Sequence, residues 1–170
     1  MALFVVGCSP PAIDENLRLL SKARDLRDSG DFASAVDYLT QIDTAGLGDS
    51  ARWACTCLYL ETSRHYNQAK LIRQTAPRCY LDALHSTYYE PYARFNYYMS
   101  MAQAHGIEHD DCTAWRYLDS AVTNLEQNNL PLGQSSAQGM LDELLKNVED
   151  PTTVDLHSAN RNSLAQKFCP

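Results

Sequence analysis

Alanine and leucine recur at helical spacing through most of this chain, and short polar turns break the runs at regular intervals. Leu19, Ala23 and Leu26 share one face of a helix, and Ala35, Leu39 and Ile42 one face of the next. Between them Gly30 tolerates the left-handed backbone that ends a helix, and Asp31 offers a cap for the helix that follows. Ala69 stands 34 residues after Ala35, behind a helical segment carrying Trp53, Cys57 and Leu60. A third unit aligns Tyr98, Ala102, Ala114, Leu118 and Ala121, with His109, Asp110 and Asp111 in its turn. It arrives 11 residues late. Pro77 is expected to close the preceding helix, and Cys79 to His85 to form a short helix of their own inside the insertion. Ala137, Met140, Leu141, Leu144, Leu145 and Val148 then predict an amphipathic helix that Pro151 ends.

The 34-residue helix-turn-helix spacing resembles the tetratricopeptide repeat. Trp53, Cys57, Leu60, Tyr66 and Ala69 fall on that family's tryptophan, small, apolar, turn-aromatic and small positions. The resemblance implies an all-α stack of about three helical pairs over residues 12–150, with the last helix covering its open end. Residues 1–11 then form a leader and tether, and 151–170 a tail. It also implies a concave surface lined by the first helix of each pair. Carried over by position, the lining is Leu20, Arg24 and Arg27, then Leu58 and Glu61, then Asn96, Met99 and Gln103. Two cations among apolar and amide side chains suit a peptide with some negative charge. Arg24 and Arg27 are equally open to being solvated or paired with Asp28 and Asp31. Tyr88, Tyr89, Tyr92, Tyr97 and Tyr98 read either as a second docking patch or as packing for the inserted helix.

The chain has 14 basic and 21 acidic residues, a net charge of −7. Nucleic-acid binding draws its affinity from Lys and Arg displacing counterions, so this balance argues against a nucleic-acid partner. Met1 to Cys8 reads MALFVVGC, and Val5-Val6-Gly7-Cys8 resembles the lipobox of bacterial lipoproteins. That resemblance implies lipidation at Cys8, with Ser9-Pro10-Pro11 beginning a stiff tether. The expected place is then the bacterial envelope, at the outer membrane facing the periplasm. The expected role is an adaptor that holds a protein or peptide partner during assembly of a pilus, secretion system or outer-membrane complex. The other reading of the same residues is an apolar arm against the core, in a cytoplasmic regulator or inhibitor of one protein partner.

No Gly-rich phosphate loop, His-Glu-x-x-His or Gly-x-Ser-x-Gly pattern occurs, so no catalytic residue, metal site or cofactor is assigned. Cys55 and Cys57 lie two residues apart on one helix, which points their sulfurs about 200° from each other and away from a common ion. In an antiparallel pair the start of one helix lies beside the end of the other. Cys55 is therefore expected to bridge to Cys79, Cys112 to Cys169 at the end of the tail, and Cys57 to serve as a small packing residue.

Overall fold

A computed structural model describes residues 11–86, 89–130, 133–148, 154–156 and 160–170, with side chains from residue 15. Among the described residues there are eight helices and no strand. They are α1 (Pro11–Asp28), α2 (Phe32–Thr40), α3 (Asp49–His65), α4 (Ala69–His85), α5 (Glu90–Ile107), α6 (Asp111–Asn128), α7 (Gln134–Asn147) and α8 (Arg161–Phe168). Each of α1 to α6 packs on the helix that follows it, and α8 packs back on α6. Contacts between α1 and α3, and between α5 and α7, join successive pairs into an all-α, repeat-like stack.

The turn inside each pair is the same device used three times. Gly30, Asn67 and His109 have φ of 85°, 56° and 57°. At each, the left-handed residue donates its N–H to the carbonyl three back, and the next residue donates to the carbonyl five back. Gly30 thus bonds Arg27 and Asp31 bonds Leu26, just as Asn67 bonds Arg64 and Gln68 bonds Ser63. His109 and Asp110 repeat the pattern on Gly106 and His105. Asp31 and Asp110 then cap the second helix by accepting from the N–H of Ser34 and Thr113, both at 3.2 Å. Gln68, at the same place in the middle pair, makes no side-chain cap.

These turns set the register, and it differs from the one expected. The positions seven before and five after the left-handed residue are Ala23 and Ala35, Leu60 and Ile72, Ala102 and Ala114, none more than 5% exposed. In the middle pair, therefore, Leu60 and Ile72 hold the places assigned from sequence to Cys57 and Ala69. Ala69 is instead the first residue of α4. The 34-residue spacing matched like residues, whereas the turns recur after 37 and then 42 residues. A three-residue slip is nearly a full helical turn, so the apolar face looks almost the same in either register.

Pro77 does not end its helix. α4 runs through it to His85, so Cys79 to His85 is the second half of α4 and no separate helix. The proline removes one backbone hydrogen bond, and burial of Ala76, Cys79 and Ala83 on the inner face offsets it. The late third unit thus follows from a lengthened second helix.

The core forms three clusters along the stack. Leu19, Ala23, Leu39, Cys55 and Leu58 join α1, α2 and α3. Leu60, Ile72, Ala76, Cys79 and Met101 join α3, α4 and α5. The largest runs from Phe95 and Met99 through α6 to Leu141 and Leu144 of α7 and to Leu164 and Phe168 of α8. Gly133 lets α7 begin close to the core, because a Cβ there would overlap Leu125 and lie 2.8 Å from Phe95 Cζ. Leu156, Leu164 and Phe168, from the tail left unassigned by the sequence, belong to this cluster. Phe168 stacks on Trp115 with centroids 5.5 Å apart, Arg161 pairs with Asp119 and Glu126, and a disulfide joins Cys112 to Cys169.

Candidate partner-binding groove

The odd-numbered helices share one side of the stack, and polar contacts run across it. Arg27 of α1 donates to Glu61 of α3 at 2.8 Å, and also to Asp28. Arg64, one turn further along α3, donates to Gln103 Oε1 of α5 at 2.8 Å, and Gln103 returns a bond to the Arg64 carbonyl at 3.0 Å. Burial holds the Arg64 guanidinium below its ordinary pKa. Arg27, Glu61 and Gln103 are therefore brought onto one side as the sequence suggested, but they are spent on joining the helices to each other. With two carboxylates already on Arg27, it is poorly placed as a clamp for an acidic peptide.

The other predicted lining residues divide. Arg24 and Asn96 are exposed, and Leu20 is half-buried against the first cluster. Leu58 and Met99 do not line the surface. Both are core side chains, 4% and 2% exposed, because their positions turn toward the neighbouring even-numbered helices. Cys8 lies outside the described residues.

Beyond Gln103 the polar row opens into a groove of about 580 Å³ between the C-terminal halves of α5 and α7. Gly106 brings the two helices together, since a Cβ there would stand 3.3 Å from Leu144 Cδ2, and Asn147 donates to the Gly106 carbonyl and to Asp111. Gly139 leaves the facing wall open. Ile107, Met140 and Leu144 make the apolar part, with the Asn67 amide at the rim and those of Gln103 and Asn147 engaged by Arg64, Gly106 and Asp111. Glu143 supplies a carboxylate. A pocket of this size accepts a few side chains of a bound segment, and with Glu143 already paired with Lys146 at 2.6 Å it suits an uncharged one rather than the acidic one expected.

Met140 and Glu143 were read from sequence as parts of a capping helix, so their place in a groove went unseen. The available signal was Gly106 and Gly139, glycines inside helical patterns, which mark close approach or missing bulk.

The tyrosines mostly pack on one another. Tyr97 meets Tyr80, Tyr98 and Tyr117 with centroids 5.6–6.3 Å apart, and His105 stacks on Tyr117 while its Nδ1 lies 3.1 Å from Asp110. Tyr89 meets Tyr92 edge-on at 5.7 Å and is still 54% exposed. Tyr88 lies outside the described residues.

Of the two disulfides expected, Cys112–Cys169 is present and Cys55–Cys79 is not. Cys55 faces the first cluster and remains a free, buried thiol, so it does not bridge to Cys79. Cys57, on the other side of α3, brings its Sγ to 2.9 Å from that of Cys79. The two-residue offset accounts for the exchange, since it turns one sulfur away from α4 as it turns the other toward it. Among the described residues no group of three His, Cys, Asp or Glu could hold a metal ion, and no helix is long and apolar enough to cross a membrane. In comparison with known proteins, the chain matches no family model, no curated protein and no solved structure.

Proposed function

We propose that this chain is a binding adaptor of the bacterial envelope, a tetratricopeptide-like stack tethered to the outer membrane through Cys8 and facing the periplasm. It takes an uncharged segment of a protein partner into the groove between α5 and α7, and it works as a scaffold in assembling an envelope complex rather than as an enzyme. The groove carries this reading: about 580 Å³ of space with apolar side chains below and the amide of Asn67 at its edge. The Cys112–Cys169 disulfide supports the compartment, because such bonds persist in oxidising surroundings such as the periplasm. Lipobox resemblance at Val5-Val6-Gly7-Cys8 supports the anchor.

Two arms test it. Expressed in a Gram-negative host with its upstream reading frame, the chain should incorporate labelled palmitate and sediment with outer membranes, and Cys8→Ser should abolish both. Proteins co-purifying with the wild type from the envelope should be lost with Ile107→Glu or Met140→Glu, which place charge in the apolar part of the groove. Unlabelled protein confined to the cytosol would refute the anchor. An unchanged set of co-purifying proteins would refute the groove.

A further inference from the structure

We propose that Cys57 and Cys79 form a reversible disulfide that cross-links α3 to α4, with Cys57 as the attacking sulfur and Cys79 as the resolving one. The two sulfurs stand 2.9 Å apart, on consecutive helices and 22 residues apart in sequence, and no other thiol competes because Cys55 faces the opposite side of α3. The neighbourhood is that of a thiol pair and of nothing larger. Beside it, between Trp53, Tyr80 and Tyr97, lies a space of about 10 Å³, room for one water at most and for no ligand.

The two thiols are unequal. Cys57 is half-buried and Cys79 is 5% exposed. A hydrogen bond from Cys79 holds the Cys57 thiol below its ordinary pKa. The same bond, then burial, push the Cys79 thiol up, and the buried carboxylate of Asp82 adds to this. The reachable sulfur is thus also the one that more readily becomes a thiolate, the form that attacks disulfides.

With a low-molecular-weight disulfide such as oxidised glutathione as oxidant, the steps balance. Cys57 loses its proton and its thiolate attacks one glutathione sulfur, breaking the glutathione disulfide and releasing the first glutathione thiolate, which takes up a proton. Cys79 then loses its proton and attacks the Cys57 sulfur of the mixed disulfide, expelling the second glutathione, which is protonated in turn. Two electrons pass from the protein thiols to the oxidant. The bond falls in the pair that lacks both an alanine crossing and a side-chain cap, so it would tie the two helices that the other devices leave untied.

The full chain is purified under reduction, exposed to excess oxidised glutathione, quenched in acid, denatured and alkylated. Trypsin should yield the peptide from Trp53 to Arg64 joined to that from Cys79 to Arg94, each missing one alkyl adduct, and dithiothreitol should separate them with both adducts restored. Fragmentation, or the Cys55→Ala variant where it folds, should put the bond at Cys57. Cys79→Ala should leave Cys57 trapped as its glutathione adduct, whereas Cys57→Ala should leave Cys79 unmodified. Full alkylation of Cys57 and Cys79 in a sample whose Cys112–Cys169 bond is intact would overturn the proposal. So would a bond mapped to Cys55. Equal modification of Cys79 in Cys57→Ala and of Cys57 in Cys79→Ala would overturn the assigned roles.

Discussion

The second and third helical pairs turn through the same left-handed corner, at Asn67 and at His109, and then close in different ways. In the third pair Ala102 meets α6 near Ala114, with both alanines at 0% exposure, and the core continues into α7 and α8. Asp110 caps α6, and a disulfide fastens the start of that helix to the end of the chain. In the second pair Leu60 and Ile72 stand where the alanines would, Gln68 offers no cap, and two thiols face each other, one turn from Leu60 and two from Ile72. The corner is a backbone requirement and therefore recurs. What fills the crossing is a volume requirement, which two bulky side chains or two small ones can meet if the helices settle at different distances.

That contrast can be broken from its strongest point downward. Cys112→Ser should lower stability by about 4 kcal/mol in the chain-entropy model for a loop of this size, read as a reduced urea midpoint, and dithiothreitol should do the same to the wild type alone. Next comes the crossing itself. Ile72→Ala should cost about 3 kcal/mol by opening a cavity, and Ala114→Leu about 2 kcal/mol by overpacking. Ala69→Leu, at the 8% exposed first residue of α4, should cost only about 1 kcal/mol, because it lies at the edge of the second cluster and not at the crossing. Equal melting-temperature losses for the two leucine variants would restore the register in which Ala69 is a crossing residue.

The caps come third. Asp110→Ala should cost about 1 kcal/mol, and Gln68→Asp should gain up to about that much by giving the second pair the cap it lacks. The hydrogen bond to Thr113, with His105 nearby, holds the Asp110 carboxyl below its ordinary pKa. A folded-state pKa depressed in this way gives a contribution fully present above the unfolded value of about 3.9 and lost as pH falls through the folded one. Urea midpoints of the wild type should therefore fall more steeply in acid than those of Asp110→Asn. Smallest of all is Arg27→Ala, which removes an exposed pair with Glu61 and should cost less than about 1 kcal/mol.

Helix existence was legible in the sequence because the apolar period is strong, and the first and third turns were legible because Gly30 and Asp110 announce them. The middle turn was not, since Asn67 is a less distinctive left-handed residue and Tyr66 and Ala69 matched a familiar pattern three residues away. Pro77 misled for a related reason: a proline is a local penalty, and the burial that outweighs it depends on α3 and α5, which no local rule sees. Leu58 and Met99 were assigned to the surface by analogy of position, which fails by about 100° of helix rotation for each residue of error. The groove needs two helices 30 or more residues apart in sequence, and only the two glycines hinted that they approach.

The central claim is that the partner is held between α5 and α7, and site-specific photo-crosslinking tests it most directly. A photoreactive residue would replace Met140 in the groove or Leu81, 54% exposed on α4 away from it. Irradiation in cells of the native host should yield a discrete higher-mass adduct from position 140 and none from position 81. An adduct from position 81 with none from 140 would contradict the account and move the binding face to the even-numbered helices.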